Sequence, residues 1–282
     1  MVAAAQTTHV AMDGLLSLRY FPQRAEFMIA ESIPVLFPPP GETKAKIVIK
    51  KAGGGVALSK DMIIEPWPPH AAFGNLKAAN GLMGFGPLAP GDYIFSVESQ
   101  GKEISAYPFS IQKEASADPF EPGSSFLRTG PWSKSMFLIG PINDTGQSID
   151  VGMWLSTREL PGYAPKKQIP FTIHLLNGGK QIGLIEGVVT DPHWEYFRHE
   201  VRQGHGMGPV KWATLVNTPG SYALEMRCAG KVIRSYKFNV AAGGKISRIA
   251  SNEIGYAGVD ALPPQSLIKD TRVQEFWLAP IQ

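Results

Sequence analysis

The chain has 282 residues, of which 44% are hydrophobic and 18% charged, which suits two globular domains of ordinary size. Its net charge is only +3 and it has no dense run of lysine or arginine, so we expect no nucleic-acid partner. A single cysteine excludes an intrachain disulfide, and no segment approaches the roughly 18 apolar residues of a membrane-spanning helix.

The 30 glycines and 24 prolines are spread along the chain without a period, which indicates many short strands joined by turns. The first domain is predicted over residues 8–112. Strands are expected there at 25–37, 45–51 and 56–64. Residues 66–88 are interpreted as a loop with one short helix.

Two segments, 90–111 and 219–240, align without a gap at a distance of 129 residues and are identical at eight of 22 positions. Each starts with a Pro-Gly corner, followed by a strand, a turn and a return strand. The identical pairs are Pro90/Pro219, Gly91/Gly220, Tyr93/Tyr222, Gly101/Gly230, Lys102/Lys231, Ile104/Ile233, Tyr107/Tyr236 and Phe109/Phe238. The chain is therefore predicted to repeat one strand–turn–strand unit.

A tyrosine follows the Pro-Gly corner in both copies, as Tyr93 and Tyr222. The unit resembles the last two strands of an immunoglobulin-like or fibronectin-type-III-like sandwich, where such a tyrosine fixes the corner through its hydroxyl. The resemblance implies an all-β chain of two tandem antiparallel β-sandwich domains with an extended C-terminal tail. It implies structural corners at Tyr93 and Tyr222, but it carries no activity because it concerns the fold alone.

Residues 113–131 are predicted to link the two domains, because Pro119, Pro122 and Gly123 interrupt any regular pattern. The second domain is predicted over residues 132–241. Its strands before the repeated hairpin are expected at 135–140, 148–156, 168–176, 181–190 and 195–201. Seven strands at this spacing are typical of a sandwich.

The segment 191–205 holds three of the six histidines of the chain. On a strand over 195–201, Glu195 and His199 share one face, and His193 joins them if the strand begins earlier. His193, Glu195, His199 and His205 are therefore candidate ligands of zinc or another divalent metal. The simpler interpretation, which we favour, is a solvated strand whose histidines make surface hydrogen bonds, with no cofactor.

The tail, residues 242–282, is polar at first and then carries the apolar cluster Phe276, Trp277 and Leu278. A disordered tail seldom ends in such a cluster. We expect the tail either to fold back on its own domains or to dock on a protein partner or a second copy, by strand addition or apolar anchoring.

The familiar catalytic motifs are absent from the sequence, so the favoured function is a non-enzymatic structural or assembly subunit that binds a partner through its tail. One alternative is a module that binds carbohydrate or another surface ligand through the loop aromatics Trp67 and Trp132. Another is a metal-binding protein or metal-dependent enzyme that uses the histidine cluster. Residues 1–6 fit an intact cytoplasmic start as well as the remnant of a signal-peptidase site, and secretion or the cell envelope is slightly preferred.

Overall fold

The structure is a computed structural model that describes residues 8–10, 18–21, 26–29, 33–36, 38–67, 70–80, 84–115, 124–129, 136–139, 148–190, 195–244, 246–248 and 275–278. The chain is all-β with antiparallel sheets, as predicted. Its strands fall into two compact units, one of strands up to residue 130 and one of strands from residue 131 onward.

The first unit is built on one large sheet. Its strands are β1 (His9–Val10), β2 (Leu18–Phe21), β3 (Glu26–Ile29), β4 (Ile33–Leu36), β5 (Thr43–Lys51), β6 (Val56–Trp67), β7 (His70–Ala78), β8 (Gly84–Pro87), β9 (Gly91–Ser99), β10 (Lys102–Ala115) and β11 (Ser124–Thr129). Eight of these pair in the order β1-β4-β7-β6-β5-β9-β10-β11, and β2-β3-β8 form a smaller sheet.

The large sheet curls so that β10 meets β1. The backbone N–H of Val10 donates a hydrogen bond of 2.9 Å to Oγ of Ser105, and the hydroxyl of Tyr107 donates one of 2.5 Å to the Val10 carbonyl. Val10 and Tyr107 are fully buried by this contact. Such a contact between strands from opposite halves of one sheet is compatible with a β-sandwich.

The second unit has two described sheets around one apolar core. Its elements are β12 (Met136–Ile139), β13 (Asp150–Leu155), β14 (Ile169–Asn177), β15 (Lys180–Val189), β16 (Glu195–Glu200), α1 (Trp212–Val216), β17 (Gly220–Cys228), β18 (Lys231–Val240), β19 (Ile246–Arg248) and β20 (Glu275–Leu278). The sheets run β16-β13-β12-β20 and β15-β14-β17-β18-β19.

The repeated segments form the same hairpin in both units, β9–β10 and β17–β18. Its two turn residues have positive φ, 51° and 73° at Gln100 and Gly101, and 49° and 76° at Ala229 and Gly230. Positive φ at both positions gives a turn whose twist suits a two-residue hairpin. On the return strand one extra residue bulges in each copy, at Ile104 or Ile233, before regular pairing resumes.

The similarity of the two units extends beyond the repeated hairpin. Eight strands of each unit take equivalent sheet positions, in the same chain order. In the first unit these are β1, β4, β5, β6, β7, β9, β10 and β11. Their equivalents in the second unit are β12 to β19, taken one by one. The strand beside the hairpin also keeps its register, because Lys51 pairs with Tyr93 and Asn177 with Tyr222. The units differ where β7 pairs with β6, since β16 forms no such ladder with β15 in the described structure.

One side-chain bond is shared by the two copies at positions that differ in sequence. Oγ of Ser99 donates to the Lys44 carbonyl at 3.1 Å, and Sγ of Cys228 donates to the Pro170 carbonyl at 3.5 Å. Cys228 is buried, and this burial raises the pKa of its thiol. The cysteine is thus a packed residue of the repeated strand.

The five strands predicted before the second hairpin are confirmed to within two residues at each end. The prediction for residues 66–88 is wrong, since they contain β7 and β8, and Trp67 ends a strand. Gly74 explains the difference, because a Cβ there would lie 2.6 Å from the Glu65 carbonyl oxygen, so this glycine serves close strand packing.

Two further segments differ from their interpretation. The single strand predicted at 25–37 is divided into β3 and β4, which belong to different sheets. Within the predicted linker 113–131, β11 pairs with β10 from Ser110↔Thr129 to Ala115↔Ser124. The prolines and glycine before β11 indicated a linker, but β11 itself contains neither proline nor glycine, so it can form a strand directly after them.

Candidate functional site

The corner tyrosines occupy equivalent positions and make equivalent contacts. The hydroxyls of Tyr93 and Tyr222 each donate a 2.7 Å hydrogen bond to the carbonyl four residues earlier, on Ala89 and Thr218. Each ring also stacks on the phenylalanine of the return strand, with centroids 5.5 Å apart in the first unit and 5.2 Å in the second. Burial raises the pKa of both hydroxyls, so they remain neutral donors.

A buried arginine distinguishes the second unit. Arg234 follows the bulge, where the first unit has Ser105, and is only 6% exposed. Its guanidinium donates to the Trp154 carbonyl at 2.9 Å and to the carboxylate of Glu159. Both Ser105 and Arg234 thus join the hairpin to the backbone of another strand, β1 in the first unit and β13 in the second.

Sequence reasoning missed Arg234 and Glu159. The sequence of β18 did indicate that the arginine is buried, because Arg234 shares one face of the strand with Tyr236 and Phe238. All three side chains are buried. An arginine on an inward face needs a carboxylate or carbonyl partner. Glu159 could not be identified in the same way, because it lies in a 3-10 turn 75 residues away.

The predicted metal ligands are only partly described. His193 and the side chain of Glu195 lie outside the described residues. His199 lies on β16, opposite Val151, and its ring stacks on Phe197 with centroids 5.9 Å apart. Desolvation lowers the pKa of His199, while the charge of Asp150 opposes this effect.

His205 lies elsewhere, in a loop over residues 203–208. The backbone N–H of Gln203 closes this loop on the Gly208 carbonyl at 2.9 Å. Nδ1 of His205 lies 2.7 Å from Oε2 of Glu186 on β15, and this carboxylate raises the pKa of the exposed imidazole. Among the side chains that the structure describes, no three of His, Cys, Asp and Glu are grouped to hold a metal ion.

The apolar cluster of the tail lies on β20, which is a strand of the second unit. Its backbone pairs antiparallel with β12 in the register Met136↔Leu278, Phe137↔Trp277 and Leu138↔Phe276. β20 also lies against β18 and β19. Twenty-six residues, 249–274, separate it from β19 along the chain. The end of the tail thus folds back on its own chain and extends a sheet edge by one strand.

The sequence of this chain matches no model of a known protein family and no curated protein. Across the residues that the structure describes, none of the helices has the length and apolar character needed to span a membrane. What is established is the architecture, an all-β chain whose antiparallel sheets are compatible with a β-sandwich.

Proposed function

We propose that the chain is a non-enzymatic assembly subunit, built of two fibronectin-type-III-like sandwiches and joined to a neighbouring chain by its C-terminal strand. The observation that carries this proposal is β20, a strand from the end of the tail that pairs with the edge strand β12 of its own chain, through backbone groups that a second copy also offers. Strand addition is a recurring mode of protein–protein recognition.

The strand order supports the assignment of the sandwich type. The equivalent strands of each unit can be numbered one to eight in chain order. Strands one, two and five then lie side by side, and so do strands four, three, six and seven, in that order. Immunoglobulin-like and fibronectin-type-III-like sandwiches arrange their strands in this Greek-key order and carry a tyrosine corner before the sixth strand. Tyr93 and Tyr222 lie near the start of that strand, and each bonds back to the preceding corner.

The chemistry of the β12–β20 pair suits exchange between chains. Antiparallel pairing uses main-chain N–H and C=O groups, so any copy of the strand satisfies the edge equally well. The 26 residues before β20 reach at most about 90 Å when fully extended, which is ample for a neighbouring chain. Domain swapping of this kind creates an interface without new complementarity.

The carbohydrate and metal functions stay predictions. The side chain of Trp67 and the whole of Trp132 lie outside the described side chains, as do His193 and the side chain of Glu195. No described contact favours either function over assembly through the tail.

The test is the absolute mass of the full-length protein, measured by light scattering on a sizing column. We expect a mass well above the 30.6 kDa of one chain. The double variant Phe276→Pro/Trp277→Pro should lower this mass, because one of two successive residues must direct its N–H at β12 and proline has none.

The matched control is Phe276→Leu/Trp277→Phe, which keeps both N–H groups and the apolar character, and should assemble like the parent. A protein that is strictly monomeric across the concentration range would refute the proposed function.

A further inference from the structure

Among the residues that the structure describes, β15 of the second unit has an open sheet edge. Leu184 exchanges two backbone hydrogen bonds with Arg202, of 2.7 and 3.0 Å, so its N–H and C=O point away from β14. Alternate residues of a strand direct these groups to the same side, and those of Glu186 and Val188 therefore point outward too. Beyond Leu184, the described part of the chain supplies no strand to this side of β15.

The first unit shows what covers the equivalent edge. The pair Thr43↔Ile64 in the first unit is equivalent to the pair Ile169↔Val189 in the second. From these pairs, β6 aligns with β15 so that Asp61 is equivalent to Glu186 and Ile63 to Val188. There β7 pairs antiparallel along the edge, with Ile63 opposite Lys77. The Asp61 carbonyl accepts a 3.2 Å hydrogen bond from the N–H of Ala79. The groups of this edge are thus arranged to bind an antiparallel strand.

The open edge carries few of the features that protect exposed strands. Residues 183–189, GLIEGVV, include no proline, no lysine and one charge. That charge, Glu186, already has His205 as its partner at 2.7 Å. Val188 is 48% exposed, one of the large apolar side chains that remain accessible. An apolar, β-branched edge of this kind is a template for pairing with another chain.

We infer that this edge pairs antiparallel with the same edge of a second copy, joining the two five-stranded sheets of the second units. A two-fold axis at Gly187 places Glu186 of one protomer opposite Val188 of its partner. Both residues direct their N–H and C=O outward, so this register makes hydrogen-bonded pairs, whereas centring the axis on Glu186 would place two carboxylates opposite each other.

The glycine at the centre of this pairing, Gly187, is required by the core of its own unit. A Cβ at Gly187 would lie 2.5 Å from Cζ of Phe171, so the position is glycine because the core ring packs against it. In the inferred dimer the two glycines form the central pair without hydrogen bonds, where Cα atoms approach to about 4.5 Å. The surface is distinct from β12 and β20, so the inference extends the proposed assembly and stands without the tail.

The first test removes the outward N–H of Val188. In the full-length protein, Val188→Pro should leave the β14–β15 ladder intact, because that N–H does not point at β14, and should reduce the mass from light scattering at least twofold. Val188→Thr, which keeps the N–H and a β-branched side chain, should assemble like the parent. An unchanged mass for a folded Val188→Pro protein would overturn the inference.

A second test holds even if the proline variant fails to fold. In a Cys228→Ser background, Glu186→Cys and Val188→Cys proteins of different tag size are mixed and oxidised. Serine should be tolerated because Ser99 makes the equivalent bond in the first unit. Residues of a hydrogen-bonded pair lie about 5.5 Å apart, within disulfide range. We expect the mixed-size dimer to exceed either same-size dimer at least fivefold.

Absence of the mixed dimer, or a preference for Glu186→Cys pairing with itself, would refute this register and the inferred dimer. The two proposals also fail separately. Loss of assembly in the tail proline variant but not in Val188→Pro refutes the β15 pairing and keeps the tail. The converse result keeps the β15 pairing and refutes the tail as the connector.

Discussion

At the scale of single residues, the two corner tyrosines have the same role in different surroundings. Each hydroxyl bonds the carbonyl four residues earlier at 2.7 Å, and each ring stacks on the phenylalanine of the return strand. The bond joins the start of a core strand to the loop before it. The corner therefore stabilises its unit through one local hydrogen bond and one aromatic contact.

We predict that Tyr222→Phe lowers the free energy of unfolding by about 1 kcal/mol, because it removes one hydrogen bond and keeps the ring. Tyr93→Phe is the matched substitution in the other copy and should have a similar effect. Urea unfolding followed by circular dichroism measures both. If neither variant loses stability, the hydroxyls do not hold the corners.

We predict that His205 and His199 titrate on opposite sides of the ordinary histidine pKa of about 6.5. Glu186 raises the pKa of His205, so its contribution to stability is complete below the unfolded pKa and is lost as pH rises through the folded value. Desolvation lowers the pKa of His199, so its contribution is present above the unfolded pKa and is lost as pH falls through the folded value.

A pH titration of the imidazole signals by NMR measures both pKa values. Glu186→Gln should return His205 to its ordinary pKa and leave His199 unchanged, because only His205 contacts that carboxylate. If the pKa of His205 is the same in the parent and in the Glu186→Gln protein, the ion pair does not form in solution.

At the scale of elements, the repeated hairpin was predictable because its signals are local. A Pro-Gly corner, alternating apolar residues and a glycine turn lie within 22 residues in each copy. The strand β7 was missed because Gly74 serves close packing of backbones, and local sequence does not distinguish this use of glycine from a loop.

We predict that Ala229→Asn raises the free energy of unfolding by up to about 1 kcal/mol. Ala229 has a φ of 49° in the turn before Gly230, and asparagine tolerates this left-handed conformation better than alanine. Ala229→Val is the opposing control and should destabilise the protein, since a β-branched residue is disfavoured there. Denaturant unfolding compares the three proteins, and an Asn variant no more stable than the parent would contradict the prediction.

At the scale of the whole molecule, sequence identity understates how similar the two units are. Eight strands per unit occupy the same sheet positions, yet the repeat is evident in sequence only at the hairpin. The hairpin needs particular residues for its corner, turn and ring stack. The other strands need only apolar side chains on alternate positions, which many residues provide.

The candidate interfaces were less predictable than the fold. The tail cluster was visible as an apolar run, but its partner β12 was not, because strand pairing is made by backbone groups that every sequence has. The open edge on β15 emerged only from comparison with β6, whose edge is covered by β7. Arg234 likewise depends on Glu159, a partner set by the fold rather than by sequence distance.

The pairing of β12 with β20 has a consequence for the order of events during synthesis. Met136 pairs with Leu278, which is added to the growing chain 142 residues later. At the usual 5–20 residues per second of translation, β12 therefore waits on the order of ten seconds for its own partner strand. During that interval, chains growing on the same messenger RNA hold uncovered copies of this edge close together. On the proposed assembly, we expect β20 of one chain to reach β12 of the next chain before that chain has made its own β20.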